Sequence, residues 1–157
     1  MIELRVLCHA ERRLDRRRWQ HEIDAAGFEL ALGELPDGTA AFVACTFEGV
    51  ESGFDLAVDP FDVSEWSLMP SDATRLATFD TVLTLTAYAN AQEIAGALAA
   101  SAAYAAAVGG AILDAYFEVR AVPAHEALEW ARSKLPDARR QFDGPSRVRA
   151  SLKRSES

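Results

Sequence analysis

Histidine, cysteine and basic residues are scarce through most of this 157-residue chain, and each shortage argues against a class of chemistry. The three histidines and two cysteines do not stand in the spacing of a zinc site, a metalloprotease helix or a CxxC pair. The nucleophile turn GxSxG and the phosphate loops GxGxxG and GxxxxGK[ST] are absent as well. The sequence therefore predicts a non-enzymatic protein that needs no metal and no cofactor.

The sequence also lacks a long apolar run of the membrane-spanning kind. Its most apolar stretch, Ala87 to Val108, is mostly alanine and contains Glu93, a pattern typical of a helix packed inside a domain. The N-terminus has no basic region followed by an apolar one, so we expect no signal peptide. Without an export signal, Cys8 and Cys45 are expected to be reduced and buried, in a cytoplasmic protein.

Basic residues are nearly missing from the middle of the chain. From Trp19 to Val119 there are sixteen carboxylates and one base, Arg75, which gives a formal charge of −15 within a total of −8. The other fifteen bases lie toward the two ends of the sequence. A field of this kind attracts a basic partner and repels nucleic acid.

The densest acidic stretch is EGVESGFDLAVDPFDVSEW, Glu48 to Trp66, which holds six carboxylates and no base. Its spacing does not match a calcium loop, which needs ligands at alternate positions, a central glycine and a terminal glutamate. Two interpretations stay open, a protein-binding surface and a solvated rim. In a protein-binding surface, the carboxylates would accelerate the encounter with a basic partner, and the aromatic residues would supply affinity. The candidate partner-binding residues are Glu48, Glu51, Asp55, Asp59, Asp62, Glu65 and Trp66.

Apolar alternation and helix-capping residues predict an α+β domain. Strands are expected at Ile2–Cys8, Phe28–Leu32, Thr39–Phe47, Phe54–Val58, Thr81–Tyr88 and Ala111–Val119. Helices are expected from the cap Asp15 to Ala26, from Asn90 and its capping partner Glu93 to Val108, and from Pro123 onward. The predicted order is β-α-β-β-β-β-α-β-α, a mostly antiparallel sheet with about three helices packed on it. The alanines of the middle helix should let it lie close to the sheet.

Three connections and one tail complete the predicted organisation. Leu35–Thr39 is expected to be a turn, Glu48–Gly53 a hairpin connection, and Phe61–Thr78 a long loop with at most one helical turn. Residues 1–136 should form a single domain. Residues 137–157, DARRQFDGPSRVRASLKRSES, are polar and basic and predict a flexible tail.

Nucleic-acid binding is the obvious alternative for the arginines of Arg12 to Arg18. No aromatic residues are interleaved with them for stacking, and the remainder of the chain is strongly acidic. We therefore expect these arginines to neutralise nearby carboxylates, and we expect no nucleic-acid partner.

The chain resembles the immunity proteins of bacterial polymorphic-toxin and contact-inhibition systems, which are small, acidic, single-domain α+β proteins. The resemblance is carried by the opening strand, by LDRRRWQHEIDAAGFEL (Leu14 to Leu30), by ESGFDLAVDPFD (Glu51 to Asp62) and by AAVGGAILD (Ala106 to Asp114). It implies a protein that binds a cognate toxin and blocks its active site or substrate path. It transfers no individual contact residue to this chain.

Charge and resemblance lead to the same hypothesis, a cytoplasmic binding protein that neutralises a basic protein partner and has no membrane association. The alternative hypothesis is a small-molecule-binding or enzymatic α+β domain with its pocket between the sheet and the alanine-rich helix. A homodimer that pairs through an exposed strand edge is a third hypothesis.

Overall fold

The computed structural model describes residues 1–35, 40–88, 90–118 and 120–141 of the chain. The strands are β1 Ile2–Cys8, β2 Leu30–Leu32, β3 Ala40–Phe47, β4 Val50–Pro60, β5 Thr81–Ala87, β6 Ala111–Asp114 and β7 Arg120–Pro123. The α-helices are α1 Arg16–Ala25, α2 Pro70–Leu76, α3 Ala91–Val108 and α4 Ala127–Gln141. Short 3₁₀ helices lie at Ala10–Arg12, Val63–Glu65 and Ala124–Glu126.

The seven strands form one sheet in the order β2-β3-β4-β5-β1-β6-β7, and every neighbouring pair is antiparallel. This confirms the predicted class, an α+β domain with an antiparallel sheet. The element order is richer than predicted, because α2 and β7 were not expected. Both edge strands are short, with three residues in β2 and four in β7, which limits the exposed pairing edge.

Helix α3 lies across one face of the sheet and contacts strands β1 to β6, with α1 and α4 packed against it. Its small side chains allow the close approach that the sequence predicted. At Gly96 an added Cβ would lie only 2.6 Å from the Ser52 hydroxyl oxygen of β4. The helix is therefore almost entirely buried, from Glu93 to Ala105.

An aromatic cluster joins α1, α3 and the sheet on this face. The ring of Trp19 packs edge-on against Tyr104 with ring centroids 5.1 Å apart, and it lies tilted against Phe54 with ring centroids 6.0 Å apart. The Trp19 indole N–H donates to the Ala100 carbonyl (3.0 Å), and the Tyr104 hydroxyl accepts from the Leu14 amide (2.9 Å). Each ring therefore buries its apolar surface without leaving a polar group unsatisfied.

The predicted helix boundaries are confirmed where capping chemistry sets them. Asp15 accepts from the Arg18 amide at the start of α1, and Asn90 accepts from the Glu93 amide at the start of α3. Gly27 and Gly109 follow the two helices with positive φ angles of 82° and 66°. Glycine adopts this left-handed conformation without strain, which ends each helix.

The connection between β3 and β4 is shorter than predicted. Only Glu48 and Gly49 form the turn, with φ angles of 51° and 76°, as a two-residue hairpin of the primed type requires. Gly53, which was expected to belong to the connection, lies within β4. A Cβ there would lie 2.3 Å from the ring of Phe42, so glycine makes room for a cross-strand aromatic side chain and does not mark a turn.

The segment Phe61–Thr78 was predicted as a loop with at most one helical turn, but it contains the 3₁₀ helix Val63–Glu65 and the seven-residue helix α2. Pro70 opens α2 at its first position, where the missing amide proton costs nothing. The sequence pattern of this short helix was too brief to be recognised. Its stability comes from packing, since Leu76 is buried.

The single strand predicted at Ala111–Val119 is wrong, because the chain reverses after Asp114 to form the β6–β7 hairpin. The Asp114 carboxylate accepts from the backbone amides of Tyr116, Phe117 and Glu118 at 2.7–3.0 Å. It also accepts from the Trp130 indole N–H of α4 at 3.2 Å. One buried carboxylate thus supplies the acceptors that turn the chain.

Two further predictions, a turn and the C-terminal tail, lie partly outside the described residues. The turn at Leu35–Thr39 includes residues 36–39, which are not described. The final helix begins with a 3₁₀ turn and continues through Pro136 to Gln141, so residues 137–141 of the predicted tail are helical. Residues 142–157 are outside the described part, and their flexibility stays a prediction.

Candidate functional site

The second face of the sheet, opposite α3, is covered over only part of its width. The chain between β4 and β5 packs on it and buries a second apolar cluster. The cluster consists of Leu7, Phe61, Leu76, Val82, Ala111, Leu113 and Ala121. On β3, the exposure of Phe42, Ala44 and Thr46 shows that no described element covers the remainder.

We call this uncovered part the open face. By strand alternation and register, its side chains belong to Glu3, Arg5, Phe42, Ala44, Thr46, Glu51, Asp55, Ala57, Asp59, Thr84 and Thr86.

Three of the predicted site residues form a row on the open face. The Ser52 hydroxyl of β4 donates to the Gln92 carbonyl of α3 at 2.7 Å, so Ser52 points toward the helices. Because adjacent residues of a strand point to opposite faces, Glu51, Asp55 and Asp59 point away from them. Residues four apart on a strand are separated by about 13 Å, so the row is about 26 Å long.

Most of the side chains beside this row are small, so the surface around the row is flat. Asp55 is paired across the sheet with Phe42 on one side and Thr86 on the other, and Ala57 is paired with Thr84. Phe42 is 37% exposed, so an aromatic surface lies directly beside the middle carboxylate. A broad acidic surface with an accessible ring can contact a partner without first moving a large side chain.

On the open face, carboxylates outnumber basic residues four to one. Arg5 is the basic residue of the open face; it pairs with Glu3 and lies over the Trp66 ring at 5.0 Å. Within the described residues, Asp59 makes no ion pair. The row on β4 therefore gives this side of the sheet a negative potential.

Asp62, Glu65 and Trp66 follow directly after β4. The carboxylate of Asp62 accepts from the hydroxyl (2.7 Å) and the amide (3.0 Å) of Ser64, which holds the pKa of Asp62 below its usual value. Glu65 is exposed, whereas Trp66 is half-buried against Phe61 with ring centroids 5.7 Å apart. Trp66 therefore stabilises the covering segment and offers only part of its ring to a partner.

Glu48 does not join this group. It pairs with Arg139 of α4, on the helical side of the sheet, and its amide donates to the Glu29 carbonyl at 2.7 Å. The structure thus brings Glu51, Asp55 and Asp59 together, places Asp62 and Glu65 at the end of their strand, and separates Glu48 from them.

Glu3 and Phe42 belong to the open face but were not among the predicted residues. The alternation of β1 puts Glu3 on the polar side of its strand, and the alternation of β3 puts Phe42 on the face opposite Val43, Cys45 and Phe47. That signal was present in the sequence. The sequence does not show which strands lie beside β4 in the sheet, because pairing between β4, β5 and β1 joins segments far apart in the chain.

Two cavities lie away from the open face. One, of about 220 Å³, is at the mouth of the contact between the β3–β4 hairpin and α3, and it is lined by Phe47, Glu48, Ala91, Gln92 and Arg139 among others. It lies at the edge of the region where the alternative hypothesis places its pocket, whereas the interior between α3 and the sheet is filled by side chains. The other, of about 310 Å³, lies between α2 and the β6–β7 hairpin.

Both thiols are buried, and His9 packs against an aromatic ring. Burial raises the pKa of both Cys8 and Cys45 to about 11, which keeps the thiols protonated and weakly nucleophilic. His9 packs its ring against Phe79 at a centroid distance of 5.3 Å. Among the residues the structure describes, no group of three or more His, Cys, Asp or Glu side chains is placed to hold a metal ion.

No helix in the described ranges has the length and apolar character needed to cross a membrane. The fold and the site together define an α+β domain with α1, α3 and α4 on one face of its antiparallel sheet. The other face carries the segment that contains α2 and, beside it, a partly uncovered acidic surface. Comparison with protein families, with curated proteins and with solved structures found no match to the chain.

Proposed function

We propose that this protein is a non-enzymatic, cytoplasmic binding protein that neutralises a basic protein partner through the open face. The observation that carries the proposal is the row of Glu51, Asp55 and Asp59 on the open face of the inner strand β4, where Asp59 is exposed and Glu51 and Asp55 are half-buried. In this position the three carboxylates can act on one partner surface together.

The partner should be a protein with a basic surface. Sixteen carboxylates against one arginine between Trp19 and Val119 produce a field that accelerates the approach of a cation and opposes nucleic acid. Phe42, beside the carboxylates, supplies apolar contact area once the partner has arrived. A homodimer through this face would bring like charges together, so we propose a different protein as the occupant.

A bacterial toxin is the partner that we favour, because of the resemblance to immunity proteins. Occlusion by a rigid, flat surface blocks an active site without chemistry of its own. This fits the protonated, buried thiols and the absence of a metal-binding cluster in the described part of the chain.

The direct test uses the purified product of the adjacent gene as the probe and measures its association rate at several NaCl concentrations. The triple variant Glu51→Gln, Asp55→Asn, Asp59→Asn removes the row. At low salt we expect a roughly tenfold slower association and a weaker dependence on salt.

A matched control removes three carboxylates from the helical side, with the changes Glu22→Gln, Asp24→Asn and Glu129→Gln on α1 and α4. It changes the net charge equally, so it should alter the association rate much less. Equal effects of the two triple variants on the association rate would mean that the open face acts only as one part of the general electrostatic field of the protein. No binding by the wild-type protein would overturn the choice of partner.

A further inference from the structure

The cavity between α2 and the β6–β7 hairpin has the size and composition of a small ligand site. Its volume of about 310 Å³ lies at the lower end of the range of ligand pockets. Leu76 and Phe79 line one side of it, and Ala111, Ala121 and Pro123 line another. We call it the hairpin pocket. Its residues are separate from the row of carboxylates, so this inference does not depend on the proposed partner.

The walls of the hairpin pocket are apolar and held in place. Leu76, Ala111 and Ala121 are buried in the second apolar cluster, and Phe79 packs against it. The ring of Phe79 is also in contact with His9 at 5.3 Å. A flat apolar group that entered the pocket would contact surfaces that are already ordered, which lowers the entropic cost of binding.

Two arginines lie near the pocket in a chain that is otherwise acidic here. Arg75, which lines the pocket, is the only base between Trp19 and Val119, and its guanidinium is held by Asp72 at 2.6 Å. The guanidinium of Arg12 is close to Gly109, which also lines the pocket, and its Nη1 atom lies 3.7 Å from the position of an added Gly109 Cβ.

Arg12 supplies the unneutralised charge. Within the described residues its side chain makes no hydrogen bond or ion pair, whereas the charge of Arg75 is offset by Asp72. The Asp80 carboxylate, next to Phe79, already accepts from the Ala10 amide (2.9 Å) and the Thr81 hydroxyl (2.8 Å), so among the described residues Arg12 is left as one guanidinium without a partner beside an apolar pocket. A single unpaired guanidinium matches a monoanion better than a phosphate ester with two charges.

The pocket is not built for a nucleotide. Gly109 and Gly110 follow a helix and lead into β6, whereas a phosphate cradle leads into a helix N-terminus. The glycine at position 110 has a packing reason, since its Cβ would lie 2.3 Å from the Leu7 carbonyl oxygen. Neither glycine therefore indicates phosphate.

We propose that the hairpin pocket binds small organic monoanions with a flat apolar body and one carboxylate. The apolar body would pack between Phe79 and the alanine floor, and the carboxylate would pair with Arg12. Guanidinium and carboxylate form charge-assisted hydrogen bonds, which fix the orientation of the ligand.

The test titrates the full-length protein with 3-phenylpropionate and follows backbone amide resonances by NMR. We expect saturable shifts at Gly109, Gly110 and Ala121 and a dissociation constant at or below about 1 mM. The neutral analogue 3-phenylpropionamide should bind at least roughly tenfold more weakly, because it cannot form the charged pair.

Arg12→Gln should weaken 3-phenylpropionate binding by roughly tenfold, and the matched change Arg17→Gln on α1 should leave it unchanged. Ala124→Leu, which enlarges a half-buried lining residue, should block the pocket, and a thermal melt checks that this variant remains folded. Any of three results would overturn the proposal: no saturable shift at these amides, equal binding of acid and amide, or unchanged binding by the Arg12 variant.

Discussion

The contact between Gly96 and Ser52 allows the close packing of α3 on the sheet to be tested quantitatively. An alanine Cβ at position 96 would lie 2.6 Å from the Ser52 hydroxyl oxygen, which is fully buried and donates to the Gln92 carbonyl at 2.7 Å. Gly96→Ala must therefore displace α3 or rotate the hydroxyl away from its acceptor. Either response disturbs the part of the helix that crosses β4.

Two opposing effects set the free energy of unfolding of this variant. Overpacking, or a buried hydroxyl that loses its acceptor, costs about 1–3 kcal/mol. Alanine in place of glycine inside a helix stabilises by about 1 kcal/mol. We expect a net loss of about 1 kcal/mol in the wild-type background.

Ser52→Ala removes the clashing oxygen. The nearest remaining atoms, the Leu30 Cδ1 and the Cβ of residue 52, both lie 3.6 Å from the new methyl group, an ordinary contact distance. In this background Gly96→Ala should therefore stabilise the protein by up to about 1 kcal/mol. The two substitutions are predicted to be coupled by about 1–3 kcal/mol.

Urea unfolding of the four proteins, followed by far-UV circular dichroism and by tryptophan fluorescence, measures this coupling. The dependence of the unfolding free energy on urea should be the same in all four, since the folded states expose similar surface. If Gly96→Ala changed stability equally in both backgrounds, the packing contact would not be responsible.

Two further predictions concern titratable groups. Ellman's reagent at about pH 8 should react with Cys8 and Cys45 only after unfolding, because burial raises the pKa of both thiols to about 11; fast reaction of the native protein would contradict this. The pKa of Asp80 should be below its usual value of 3.8, because the Ala10 amide and the Thr81 hydroxyl donate to the carboxylate. This stabilisation is present above the unfolded-state pKa and is lost as the pH falls through the lower folded-state pKa. In the Asp80→Asn variant, the free energy of unfolding measured with urea should therefore decrease less steeply with falling pH below about pH 4 than in the wild-type protein. An unchanged dependence on pH would refute the assignment.

The helix boundaries and the principal strands could be predicted because they depend on neighbouring residues. Asp15 and Asn90 cap their helices with their own side chains, and Gly109 ends α3 through its own φ angle. Alternation likewise predicts the faces of β1 and β5 without knowledge of their partners. These features survive in the structure because the interactions that create them lie within about four residues.

The errors arise where distant residues decide the local conformation. Gly53 indicated a turn, but the ring of Phe42 on the neighbouring strand accounts for it. The end of β6 is set by the Asp114 carboxylate, whose acceptors also serve Trp130 of α4. No pattern within a short window of sequence contains that partner.

The functional hypothesis also has a part that depends on neighbouring residues and a part that depends on distant ones. The sequence by itself determined the charge segregation and, through the two-residue period of a strand, the common direction of Glu51, Asp55 and Asp59. Only the tertiary structure decided that Glu48 pairs with Arg139 of α4, and that the segment after β4 covers the sheet from β5 to β7 but leaves β3 exposed. Side-chain direction is a property of the local backbone, whereas coverage depends on which distant apolar groups meet, and that is fixed only when the whole core assembles.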